Sequence, residues 1–245
     1  MKLYKIVFLL GLIAVSQIIY ATETAYKLDK APIDPTDQAS LQRGLQIYVN
    51  NCQGCHGLKF SRLTTIAKGI GITDETGNIL EQIVKDNLLF VGDKITDPMY
   101  AAMPETLAAN WFGKVPPDLS LVARARGVDW LYTYLRTFYK DPSKAWGVNN
   151  LVFPDVAMPH VLVGWQGVQE RVDFAGHSEV KLVVAGSLTV EKYNQTISDL
   201  VNFLDYVGEP HKEQRKKIGL WVVVFLSVFL VFSYLLKREY WKDIH

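Results

Sequence analysis

The chain has 245 residues, 26 Lys and Arg against 25 Asp and Glu, and 49% apolar residues. That composition excludes an intrinsically disordered chain and a broadly basic nucleic-acid binder, so nucleic acid is not an expected partner. The net charge of +1 is an average over unlike parts: residues 1–21 carry two Lys and no acid, residues 211–245 carry seven basic and three acidic residues, and 22–210 is left with a net of −5. An acidic middle between apolar ends with basic flanks predicts a membrane-anchored protein with a soluble acidic domain.

Residues 1–21 open with Lys2 and Lys5, continue through the apolar run from Ile6 to Val15 and end on the small Ala21. This is the layout of a secretory signal peptide, with an uncleaved anchor as the alternative because Ile19 is larger than a cleavage site prefers. No Arg-rich amphipathic transit segment is visible, which points to bacterial export. The exported domain then spans 22–210. Its first helix is predicted at 38–51, where Leu41, Leu45, Tyr48 and Cys52 fall at i, i+4, i+7 and i+11. Gly44 on that helix leaves a flat spot where another helix can cross closely.

The helix runs into Cys52-Gln53-Gly54-Cys55-His56, which uses both cysteines of the chain. Cys-x-x-Cys-His is the attachment signature of a c-type haem. Each thiol adds to one porphyrin vinyl group, and the adjacent imidazole reaches the iron. A redox dithiol or a structural disulfide fits less well, because a thioredoxin-type motif follows a strand and opens a helix. One motif predicts one covalently attached haem c with His56 as an axial ligand.

The second axial position calls for Met or His in a high-potential carrier. Apart from Met1, the methionines are Met99, Met103 and Met158; the remaining histidines are His160, His177, His211 and His245. His211 and His245 lie against the ends of the C-terminal apolar segment, and His177 sits in a polar turn at 175–178. Met103 and Met158 each precede a proline, which keeps the methionine extended. The residues leave both open, Met158 slightly ahead because the apolar Val152–Ala157 stretch could wall off a haem face, with His160 as a competitor.

Further along, acids between 60 and 112 are spread out, as on a solvated face. Aromatic residues at 130–135 continue a helical region at 116–140. The alternating run Val180–Val184 suggests a hairpin within 164–188. Tyr193, Ile197, Leu200, Val201 and Leu204 predict a helix at about 190–207 that crosses the first one. Long loops at 60–112 and 141–188 remain, unusual without a cofactor to pack on. A basic juxtamembrane segment, 211–217, precedes 218–236, a charge-free run of 19 residues that spans roughly 28 Å as a helix. Trp221, Tyr234, Tyr240 and Trp241 lie near its boundaries as interfacial anchors. With the signal peptide setting orientation, the domain faces the periplasm of a bacterial inner membrane, the lipid bilayer holds one span, and the tail 237–245 stays cytoplasmic. The expected fold is mainly α: a c-type cytochrome domain with long loops, plus one C-terminal transmembrane helix.

Over nearly its whole length after residue 21 the sequence resembles the cytochrome c1 family, the haem subunits of cytochrome bc1 complexes. The likeness lies in Arg43-Gly44 through Tyr48 into Cys52–His56, Pro116-Pro117-Asp118-Leu119-Ser120 followed by Arg124-Ala125-Arg126, Ala157-Met158-Pro159, and the helix Asp199–Leu204 leading to Glu209-Pro210 and the late anchor. The resemblance implies Met158, not Met103, as the axial sulfur. It implies that Arg126 pairs with a haem propionate, for which the forked guanidinium is suited. Pro117 and Leu119 line the haem edge on the same ground, and Trp130 is a haem neighbour, although such aromatic density also reads as core. Spacing at i, i+2 lets only one of Arg124 and Arg126 point inward. The implied function is electron transfer: one electron from a Rieske iron–sulfur protein, passed to a cytochrome c, in a complex with cytochrome b. The isolated chain is a carrier; the oxidoreductase is the complex. The alternatives are a stand-alone anchored cytochrome c feeding an oxidase, and a haem-based sensor with an open sixth site. Residues 164–188 depart from mitochondrial relatives and have no assigned role.

Overall fold

A computed structural model describes residues 26–174 and 177–242. The signal-peptide reading of 1–21, residues 175–176 and the last residues of the tail lie outside the described residues. In chain order the elements are α1 (Gln38–Asn51), β1 (Leu58–Arg62), α2 (Leu63–Gly69), α3 (Glu81–Leu88), β2 (Pro98–Met99), α4 (Glu105–Phe112), α5 (Val122–Arg126), α6 (Val128–Arg136), β3 (Phe138–Lys140), β4 (Val148–Asn150), α7 (Val163–Gln166), β5 (Gly167–Phe174), β6 (His177–Ala185), α8 (Val190–Gly208) and α9 (Lys212–Tyr240). They gather into two compact units, one of Ala31–Val128 with Asn194 onward, the other of the residues up to Lys30 with Asp129–Tyr193.

In the first of these units α1 crosses α8, as the periodicities predict. Asp37 caps α1 by accepting from the Ser40 N–H at 3.0 Å, and the Cys52 N–H still closes on Tyr48 O at 2.8 Å. Leu41, Leu45 and Tyr48 are buried on one side, and Ile197, Leu200, Val201, Phe203 and Leu204 on the other. Gly44 is the crossing point: a Cβ there would stand 2.1 Å from Asp199 O and 2.5 Å from Phe203 Cβ. The stretch 60–112 carries short elements of its own, α2 to α4 and the irregular antiparallel pair β1–β2. Periodicity over seven or eight residues is too short to announce them.

Beside the crossing, Arg43 donates Nε and Nη2 to Asp199 at 2.6 and 3.0 Å, and Ser40 Oγ donates to the same carboxylate at 2.7 Å. Burial alone would raise the Asp199 pKa, but the hydrogen bonds from Arg43, Ser40 and Gln195 and the Arg43 charge outweigh it and hold it below 3.8. A carboxyl whose pKa is lowered by folding stabilises the fold above its ordinary value, and that contribution is lost as pH falls through the lowered one. Asp199→Asn is therefore expected to cost about 1–3 kcal/mol at neutral pH and to flatten the acid side of the stability profile below pH 3.8. Thermal melts from pH 7 to 3 check this; parallel profiles for both proteins would contradict it.

α9 is 29 residues long and none of its apolar window is buried. At 1.5 Å per residue it measures about 43 Å, enough to cross a bilayer, and it contains the whole of 218–236. At its base Lys212 reaches Asp205 at 2.8 Å, while Arg124 and Arg215 both grip Glu209. Part of the basic flank is thus spent on the protein's own acids.

The other unit is built on α6. Its core is Tyr134, Phe138, Val152 and Val156, with Trp130, Leu135, Val148 and Met158 packed against it. β3 pairs with β4 from Phe138↔Asn150 to Lys140↔Val148. The hairpin expected within 164–188 is present as β5–β6, paired from Gly167↔Ala185 to Phe174↔His177. Gln166 and Gln169 donate side-chain amides to the Arg136 carbonyl, each at 2.9 Å, which ties the base of the hairpin to the end of α6.

Candidate functional site

α1 delivers the Cys-x-x-Cys-His segment as a tight turn at its C-terminus. The N–H groups of Cys55 and His56 both donate to Cys52 O, at 3.0 and 2.8 Å, so the helical path persists past the formal end of the helix. Tyr48, one turn earlier, donates its hydroxyl to His56 O at 2.6 Å. Two other segments clamp the turn. On one side, the Ala102 and Met103 N–H groups donate to Gln53 O and Gly54 O at 2.9 and 3.0 Å. On the other, the Leu119 N–H donates to Gly57 O at 2.8 Å, and Asp118 accepts from the N–H groups of Lys59 and Ser120. Gly57 fits between them because a Cβ would lie 3.1 Å from Asp118 Oδ2 and 3.2 Å from Met99 O.

His56 Nδ1 lies 2.7 Å from Pro117 O. A carbonyl only accepts, so Nδ1 carries the proton and Nε2 is left with its lone pair. That is the arrangement in which a histidine ligand is oriented by its other nitrogen. Burial lowers the His56 pKa, against the opposing pull of Pro117 O and Asp118. The cysteine sulfurs are free rather than bridged; burial, reinforced by the Cys55 charge, pushes the Cys52 thiol up to about 12, and burial raises Cys55 as well. A cleft of about 280 Å³ opens beside the turn, lined in part by Cys55, Met103, Ala108, Val115, Pro116 and Pro117. Two free thiols, an imidazole with Nε2 available and an adjoining partly apolar cleft fit a covalently held haem.

Cys52, Cys55, His56, Pro117 and Leu119 are therefore brought together in one unit. Pro117 and Leu119 act here through a backbone carbonyl and N–H, which no side-chain pattern reveals. Arg126 ends α5 in the same unit, exposed, and Arg124 is exposed as well. Only Ala123 is buried on this five-residue helix, and Arg124 is drawn to Glu209, which leaves Arg126 as the one of the two not committed to that pair. Met103, whose backbone holds the Cys–His turn, belongs to this unit too.

Met158 and Trp130 lie in the other unit. Met158 Sδ accepts a hydrogen bond from the Tyr134 hydroxyl at 3.4 Å, and Trp130 stacks on Tyr134 with ring centroids 4.8 Å apart. His160 stacks on Phe138 at 4.8 Å. Burial lowers its pKa to about 4, and its Nε2 is buried without a hydrogen-bond partner among the described residues. Asn149 and Asn150, which sequence reading passed over, shape the Met158 loop. Asn150 Oδ1 accepts from the N–H groups of Val152 and Phe153, and Asn149 Oδ1 from that of Asp155. An Asn pair before a proline-containing loop was the only available signal.

A family model described as the Cytochrome C1 family matches residues 29–244. The chain is 46% identical over 226 residues to "Cytochrome c1" of Allochromatium vinosum, covering 89% of this chain and 90% of that one. It is 44% identical over 240 residues to a protein of Nitrosomonas europaea named "Ammonia monooxygenase gamma subunit", with 97% of each chain covered. It is 28% identical to "Cytochrome b/c1" of Bradyrhizobium diazoefficiens, where the match spans 87% of this chain and 34% of the longer relative.

Proposed function

This chain belongs to the cytochrome c1 family, and from that membership we propose that it is the haem-carrying electron relay of a cytochrome bc1 complex. The observation that carries the reading is the Cys–His turn at the end of α1, with His56 Nδ1 held by Pro117 O so that Nε2 can ligate iron. Haem c, when bound, supplies a one-electron iron couple. Cys52 and Cys55 would hold it through two thioether bonds to its vinyl groups. His56 and Met158 would ligate the iron, Arg126 would pair with a propionate, and Pro117, Leu119 and Trp130 would border the ring. His/Met ligation raises the potential, as a carrier downstream of a Rieske centre needs.

In each turnover the chain takes one electron from a reduced Rieske iron–sulfur protein and gives one to an oxidised cytochrome c. The net charge of −5 over 22–210 favours a basic cytochrome as acceptor. Association with cytochrome b is supported by the relative whose name joins b and c1 in one chain. Residues 1–21 are read as an export signal, 22–210 as the periplasmic domain, 211–217 as the basic juxtamembrane segment, 218–236 as the span and 237–245 as the cytoplasmic tail. α9 supports a single anchor in the bacterial inner membrane.

The Nitrosomonas europaea relative carries another name, so the test includes that alternative. Purified in detergent through a tag on its C-terminus, the chain is expected to bring a cytochrome b and a Rieske protein with it. The preparation is expected to reduce basic cytochrome c with quinol, at a rate that falls as ionic strength rises. Recovery with ammonia monooxygenase subunits, or alone with an oxidase, would overturn the reading.

A further inference from the structure

We propose that Tyr134 is a positioning residue that tunes the sulfur of Met158 and, through it, the reduction equilibrium of the iron. The proposal rests on the reading of Met158 as the sixth ligand. The Tyr134 hydroxyl donates to Met158 Sδ at 3.4 Å. A thioether is a weak acceptor, and Tyr134 is only 9% exposed, so its buried hydroxyl needs the partner it has.

Both partners are held by contacts other than this hydrogen bond. The Tyr134 ring is stacked by Trp130 at 4.8 Å and 10° and met edge-on by Phe138 at 5.1 Å and 64°. The Met158 loop is held by Asn150, which accepts from Val152 and Phe153 and donates Nδ2 to Tyr134 O at 2.8 Å. The same asparagine thus fixes the loop to the turn of α6 that carries the tyrosine. The hydroxyl is aimed by packing.

A thioether sulfur has two lone pairs. One given to a metal leaves the other for the hydroxyl, and a hydrogen bond there draws electron density from the donor. Ferric iron depends on that donation more than ferrous iron does. The hydrogen bond donated to the sulfur therefore favours the reduced state and raises the potential.

The test is Tyr134→Phe in the full-length holoprotein, read by redox titration and by the sulfur-to-iron charge-transfer band of the oxidised state. The phenyl ring keeps the stack on Trp130 and removes only the hydroxyl. The band is expected to persist, while the reduction equilibrium shifts several-fold toward the oxidised form, tenfold being about 59 mV for one electron. An unshifted equilibrium overturns the proposal. So does loss of the band, which would make Tyr134 a mere support of the loop. Tyr132→Phe is the control: it removes a hydroxyl from the same helix, on a ring that lies under Arg136 at 4.4 Å, and is expected to leave the equilibrium unchanged. An equal shift there counts against the proposal. A band that survives Met158→Leu overturns the ligand reading and this proposal with it; a band lost there with Tyr134→Phe unshifted overturns this proposal alone.

Discussion

Replacing Met158 by Leu is expected to remove the sulfur ligand and shift the reduction equilibrium at least a hundredfold toward the oxidised form, about 120 mV for one electron. Leu nearly conserves volume, so its packing against the core of Tyr134, Phe138, Val152 and Val156 should cost less than about 1.5 kcal/mol. The loop itself is held by Asn149 and Asn150 rather than by the methionine. The fold and haem content should therefore survive, and the effect should fall on the iron alone. A relay whose potential drops this far no longer draws electrons from a Rieske partner, so quinol-dependent reduction of cytochrome c should collapse while the bound haem remains. Redox titration of the purified variant checks this. If Met103→Leu produces the loss instead, the ligand is Met103, the other methionine that precedes a proline.

Gly44→Ala is expected to damage the fold more than any other single methyl group added to α1. The new Cβ would meet the Asp199 carbonyl oxygen at 2.1 Å and its carbon at 2.9 Å. Backbone atoms cannot rotate away, so α1 and α8 must part, loosening the Arg43 fork and the Ser40 hydrogen bond on Asp199. Overpacking of this kind costs about 1–3 kcal/mol or more, and the roughly 1 kcal/mol gained in helix propensity offsets part of it. The expected outcome is a melting temperature lower by roughly 4–10 °C and less assembled holocytochrome in membranes. A melt coincident with that of the parent would show that the helices separate freely and that the close crossing carries no stability.

α1 and α8 were legible because each repeats its apolar face over three turns or more, and the crossing because a lone glycine on a buried face has few other uses. The Cys–His turn was legible because covalent chemistry fixes its spacing. The span of α9 needed only a count of uncharged residues. What stayed hidden is held by pairings that no local pattern encodes. Tyr134 and Met158 are 24 residues apart, and their contact exists only once α6 and the Asn150 loop have docked. The Pro117 contribution is a carbonyl oxygen, which every residue possesses, so only the resemblance pointed there and it pointed to the side chain. The partner of Arg124 is Glu209, 85 residues on, a pairing that the phase of five-residue α5 does not encode.

The hydrogen bond from His56 Nδ1 to Pro117 O has a kinetic meaning as well. The accepting carbonyl lies in a Pro116-Pro117 pair whose ring-locked backbone has little freedom to shift. Tyr48 secures the other side of the same residue through the His56 carbonyl. With the ring held at Nδ1 and the backbone held at its carbonyl, the imidazole would have little room to swing if it ligated the iron as proposed. In the proposed relay little of this turn would have to rearrange with each change of charge, and a low reorganisation cost lets such a relay cycle quickly over a small driving force. The stiffness of this short turn would then set a speed as well as a shape.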